Sequence, residues 1–120
     1  MIEVRQTEIF VNWFTNLRDK KAKARIQARI DRMEMGNFGD VAPVGQGVSE
    51  MRIFYGSGYR VYFVQRGSVI VILLCGGDKG TQKTSDINKA KGCDLNAIQL
   101  LSSNRKPILI ELIPKLLPTS

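Results

Sequence analysis

Four residues near the middle of the chain, Arg52, Arg60, Tyr62 and Lys79, are of types that handle phosphate esters. A guanidinium is always charged and can grip two phosphate oxygens at once. A lysine supplies a mobile point charge, and a tyrosine can move a proton when its neighbours shift its pKa. With Glu50 they could support metal-free cleavage of RNA, in which the ribose 2′-OH attacks the adjacent phosphate. That reaction leaves a 2′,3′-cyclic phosphate and a 5′-OH. It needs a base near the 2′-OH, cationic donors for the phosphorane and an acid for the leaving oxygen. The chain has no histidine, so the usual base is missing. Arg52 and Arg60 suit the phosphorane, while Lys79, Tyr62 or Glu50 would have to handle protons. Such a set makes a poor free-standing nuclease, and suits one whose substrate is oriented by something larger.

These residues meet only if the segment around Gly56-Ser57-Gly58 folds back as a hairpin. The glycines can take positive φ there, so residues 48–55 and 59–65 read as antiparallel strands. With Tyr55 opposite Tyr59, Arg52 opposes Tyr62 and Ile53 opposes Val61. Glu50, Arg52, Phe54, Arg60 and Tyr62 then share one face, while Met51, Ile53, Val61 and Phe63 share the other. The second set is a core face, and the first reads as a basic, aromatic surface. Arg66-Gly67 reads as a two-residue turn into a third strand at 69–75, apolar throughout, as expected of a strand covered on both sides. Gly76-Gly77-Asp78-Lys79 would then emerge beside the glycine hairpin, near Arg60. The glycine pair permits close backbone approach, but the frame is not a P-loop.

Upstream, residues 2–5 alternate as a short edge strand. Thr7 can cap a helix whose apolar positions are Phe10, Trp13, Phe14 and Leu17. Asp19 can cap a second over about 20–35, with Ile26, Ile30 and Met33 buried and Gly36-Asn37 ending it. Residues 38–47, with Pro43 and three glycines, read as a loop. The expected fold is therefore α+β: a small, twisted, mainly antiparallel sheet in β-α-α-β-β-β order, with two N-terminal helices packed on one face.

A chain of 120 residues is the size of one domain. Its 18 Lys and Arg against 11 Asp and Glu give +7, which favours a polyanionic partner such as nucleic acid. Charge at Glu3 and Arg5 interrupts any signal-peptide core, and no apolar run approaches a membrane span. Cys75 and Cys93 form no CxxC pair. That and the missing histidine argue against a zinc site, and a reducing cytoplasm is the expected compartment. No cofactor is expected.

The runs Ser49-Glu50-Met51-Arg52-Ile53, Tyr55-Gly56-Ser57-Gly58-Tyr59-Arg60-Val61-Tyr62-Phe63 and Leu73-Leu74-Cys75-Gly76-Gly77-Asp78-Lys79 resemble the RelE/ParE toxin superfamily. More narrowly, they are similar to its phage-derived, HigB-like branch, the addiction-module killer proteins. The likeness covers about residues 1–91, including Arg5, the Trp13 helix and Asp86-Ile87. It implies a bacterial toxin that cleaves messenger RNA in the ribosomal A site and is neutralised by a cognate antitoxin. By position it places Arg52, Arg60, Tyr62 and Lys79 at RNA contact or cleavage. Arg25, Arg29, Arg32, Tyr59 and Lys83 stand as further RNA contacts. Some relatives of ParE type instead poison DNA gyrase by protein binding, and a non-catalytic nucleic-acid-binding module is a third alternative.

Each site residue has a plainer role open to it. Arg52 could pair with Glu50 or Asp40, Tyr59 and Tyr62 could be sheet packers, and the basic second helix could simply be solvated. Residues 92–120 depart from the family pattern. They are apolar, poor in charge and cut by Pro107, Pro114 and Pro118, and are expected to form a separate tail that covers the sheet, forms an interface such as one between two copies of the chain, or is the partly ordered product of an altered reading frame.

Overall fold

The structure, a computed structural model, describes residues 1–78, 81 and 83–102, with side chains as far as Cys93. The chain opens with β1 (Glu3–Gln6), and the residue before it, Ile2, donates its N–H to Glu34 O at 2.9 Å. Thr7 then caps α1 (Glu8–Thr15), its hydroxyl oxygen accepting the Phe10 N–H at 3.1 Å. Asp19 caps α2 (Lys20–Glu34) by accepting the N–H groups of Lys21 and Ala22, and Gly36 ends it at φ 88°. Both caps fall where the sequence places them, because each supplies an acceptor to otherwise orphaned N–H groups.

Four strands follow: β2 (Val41–Gly45), β3 (Val48–Ile53), β4 (Tyr59–Arg66) and β5 (Ile70–Asp78). The sheet order is β1-β5-β4-β3-β2, antiparallel except that β1 runs parallel to β5. The α+β fold with both N-terminal helices on one face is as expected. Phe10, Ile26, Ile30 and Met33 pack there against Met51, Ile53, Val61, Phe63, Val71 and Leu73.

β2 corrects the loop expected at 38–47. Pro43 disguises it, yet costs the ladder nothing. The Arg52 N–H donates to Asp40 O at 3.0 Å, so by alternation Pro43 sits where its nitrogen points away from β3. It also removes a donor from the open edge of the sheet, which discourages pairing with another strand.

The third helix, α3 (Lys83–Ser102), lies on the other face of the sheet. Ala90 and Cys93 on it join Val48, Tyr62, Val64, Ile72, Leu74 and Cys75 in a second core. The face read as an exposed basic surface is therefore covered. α3 also runs past the boundary expected at residue 91, and Cys93 belongs to the core. The prolines of the tail lie outside the described residues, as does most of the surface expected to join two copies. No helix among the described residues is long and apolar enough to cross a membrane.

Two registers differ from expectation. Ile53 pairs with Tyr59, Arg52 with Arg60 and Glu50 with Tyr62, because the β3–β4 connection takes five residues rather than three. Between β4 and β5, Arg66 pairs with Ile70 across a three-residue turn, and a bulge skips Leu74. The carbonyl that the bulge frees is taken by the Thr7 hydroxyl, which donates to Leu74 O at 2.7 Å. One side chain thus caps α1 and closes the defect in β5.

Candidate functional site

The bulge decides which way the glycine pair faces. Beyond it, Gly76 stands opposite Val61 and Gly77 opposite Arg60, inside β5 rather than after it. A Cβ on Gly76 would run into the Trp13 ring of α1, and one on Gly77 would run into the Asp86 carboxylate of α3. The pair is therefore small because a helix presses on each face of the strand at that point, which is a packing requirement rather than a phosphate cradle.

Gly77 makes room for a polar network under the start of α3. Arg60 is its hub. Its Nε donates to the Tyr62 hydroxyl at 2.9 Å, and one terminal nitrogen reaches Asp86 Oδ2 at 3.2 Å and Asp78 O at 3.0 Å. Thr81 donates to Asp86 Oδ2 at 2.6 Å and accepts the Asp78 N–H at 3.1 Å, which fixes the turn into α3. Glu50, only 1% exposed, lies 3.5 Å from the Tyr62 hydroxyl, 3.5 Å from Lys83 Nζ and 3.9 Å from Arg60 Nε. Burial works to lower the Arg60 pKa, but Tyr62 and Asp86 outweigh it and the guanidinium holds its proton more firmly than usual.

The expected site residues therefore divide. Arg60, Tyr62 and Lys83 come together around Glu50. Arg52 stands directly opposite Arg60 across the ladder, and its like charge is answered by Asp40 Oδ1 at 2.8 Å, one of the plainer roles open to it. Tyr62 has no exposed surface, which corrects its reading as part of an open face. Lys79 lies outside the described residues. Asp86 and Thr81 are essential to the network and were missed, because α3 and the turn leading into it were not read; an acidic residue in the first turn of α3 was the available signal.

The cations of α2 divide too. Arg29 lies three and four residues from Ile26 and Met33, at the rim of the buried stripe. It donates to the carbonyls of Arg52 at 2.6 Å and Phe38 at 3.1 Å, and lies 3.4 Å from that of Asp40, so it staples α2 to β3 and to the segment leading into β2. Arg25 and Arg32 are exposed. The Arg25 guanidinium sits 4.8 Å from the centre of the Tyr55 ring, which lies near-parallel to Tyr59.

The buried acids give a pH dependence. Burial pushes Tyr62 from 10.0 up to about 12, against the pull of Arg60, and pushes Cys75 from 9.0 up to about 12. In the unfolded chain these groups lose their protons first. Between about pH 9 and about pH 12 the folded state thus binds more protons, so stability falls as pH rises. Denaturant titrations across that window should show the loss, and Tyr62→Phe should flatten its upper part. Burial raises Cys93 as well, so neither thiol should react with a disulfide reagent at neutral pH until the protein unfolds.

A family model described as "Phage derived protein Gp49-like" matches residues 12–93, well over half of the chain. A Haemophilus influenzae protein described only as uncharacterized is 50% identical over 90 residues, which is 75% of this chain and 90% of that one. The family match includes β2 through β5 and the first half of α3, the elements that build the Arg60 network.

Proposed function

This chain belongs to the phage-derived Gp49-like family, and on that footing we propose that it is the toxin of a type II toxin–antitoxin module, acting as a ribosome-dependent messenger-RNA endonuclease. The resemblance to RelE/ParE toxins in the hairpin and the Gly-Gly-Asp-Lys run supports the toxin reading. A cognate antitoxin would hold it in check, and the cytoplasm would be its place of action.

One observation carries the mechanism: cations gather around two carboxylates, Glu50 and Asp86, that are themselves buried and held by those cations, so neither is a free base. Arg60 and Lys83 stand around Glu50, Arg52 lies on the same face paired with Asp40, and the side chains of Arg52 and Lys83 are 39% and 54% exposed. Arg60 is pre-oriented by its acceptors, which suits it to stabilise charge that develops on a nearby phosphate. Tyr62 cannot serve as a base, being buried and raised to about 12. Tyr55 and Tyr59 are raised too, chiefly by burial, and the chain has no histidine. Arg52, Lys83 and, outside the described residues, Lys79 would contact phosphate, with Arg60 behind them. Such a surface binds and polarises a phosphodiester but leaves orientation and proton movement to its surroundings, which a ribosome with a bound message can supply.

The purified chain should leave naked messenger RNA almost intact and cut it when translating ribosomes are added. The double variant Arg52→Gln/Lys83→Gln should lose roughly a hundredfold in rate while melting near the wild type, since both cations are partly exposed and Arg60 still faces the buried Glu50. Efficient cleavage of naked RNA by the chain alone would refute this reading.

A further inference from the structure

The opposite face of the same hairpin carries an arrangement that the Arg60 network does not use. Tyr59 and Arg60 are consecutive on β4, so their side chains leave opposite sides of the sheet. On the Tyr59 side, the Tyr55 and Tyr59 rings lie 6.5 Å apart with their planes only 20° from parallel. The Arg25 guanidinium covers Tyr55 at 4.8 Å from its centre. Both rings are half-buried at the rim of the core, and Gly56 and Gly58 at φ 60° and 92° make the tight turn that brings them together.

We infer that Arg25, Tyr55 and Tyr59 form a stacking platform for the bases of single-stranded RNA. The inference rests on the RNA-directed reading above and assigns the kind of RNA that the hairpin accepts.

Charge chooses the occupant. Lys21 and Arg32 are exposed and lie four residues before and seven after Arg25, so a row of cations on one stripe of α2 leads to the rings at Arg25. Aromatic faces flanked by cations suit unstacked bases joined by phosphates, because every base offers a π-face and every linkage a charge. A duplex hides its base faces and could use only the cations. Two carboxylates lie near. Asp19 is engaged as the α2 cap and as acceptor of the Tyr55 hydroxyl at 3.3 Å, and Asp78 lies opposite Tyr59. Both phenols are raised by burial and by Asp19, so the rings stay neutral and do not repel phosphate. An acidic peptide would match the cations but has no use for parallel rings.

The test is fluorescence anisotropy of the full chain with a labelled ten-nucleotide single-stranded RNA and with the same sequence as a duplex, at low salt. The single strand should bind, and Tyr55→Leu should weaken it about tenfold. Tyr55→Phe, which keeps the ring and loses only the bond to Asp19, should bind like the wild type. Circular dichroism confirms that each variant is folded, and Arg25→Gln serves as a second variant because its side chain is exposed. Duplex binding should be weaker and indifferent to Tyr55→Leu. Equal binding of the single strand by wild type, Tyr55→Leu and Arg25→Gln would overturn the platform. So would no binding of the single strand, which would leave the rings to a protein partner. These readings need no ribosome and no cleavage, so the platform and the endonuclease reading can fail separately.

Discussion

Arg60→Ala is expected to melt on the order of 10 °C below the wild-type chain, from a loss of about 3 kcal/mol. The cause is what the substitution leaves behind. Glu50 and Asp86 are 1% and 5% exposed, and both face the Arg60 guanidinium. Without it, Asp86 keeps Thr81 and Glu50 keeps Lys83, but the strongest cation between them is gone. The Tyr62 hydroxyl also loses its donor, at a further cost for a buried polar group. Arg60→Lys should fall between the two, since a point charge cannot span Tyr62 and Asp86 as a planar fork does. Thermal melts followed by circular dichroism check this, and a midpoint within 2–3 °C of the wild type, roughly the size of an ordinary surface substitution, would show that the network is not structural. A growth-arrest assay on Arg60→Ala alone therefore identifies no catalytic group.

The second large effect is expected at the glycine pair. Gly76→Ala drives a methyl group into the Trp13 ring, which is itself packed 5.8 Å from Phe10. Neither ring can swing away without opening the core between α1 and β5, so a cost of about 3 kcal/mol is expected, at the upper end for overpacking. Gly77→Ala displaces the Asp86 carboxylate and breaks its bonds to Thr81 and Arg60 together. Gly92→Ala is the contrast within the same chain. Nothing lies within 4 Å of its Cβ position, and it sits inside α3, so alanine should stabilise by about 0.5–1 kcal/mol. Chemical denaturation of the three variants should therefore give two large losses and one gain. Tolerance of alanine at Gly76 would mean that α1 does not bear on β5 as described.

Much of this fold is written locally. Thr7 and Asp19 mark their helices because capping is settled within four residues, and the 3.6-residue apolar stripes settle the faces of α1 and α2. The hairpin register was expected two residues out of place, yet Glu50, Arg52, Arg60 and Tyr62 still share a face, because side chains alternate with period two. What they face was not legible. α3 carries Gly92 and has only Ala90, Cys93 and Ile87 to announce an apolar side among its described side chains, so no strong periodicity marks it. With α3 unread, Tyr62 looked open and Asp86 had no role. β2 was hidden by Pro43 and Gly45, residues that normally argue against a strand and are tolerated here only at an edge and a bulge. The bulge at Leu74 depends on a bond from Thr7, 67 residues away in sequence, which no local pattern reveals.

Primer extension on messenger RNA from cells in which the chain is induced tests the central claim most directly. Cuts are expected inside translated codons, absent when translation of that message is prevented and strongly reduced for Arg52→Gln/Lys83→Gln. Growth arrest with intact messages and DNA breaks bearing the signature of gyrase would contradict it.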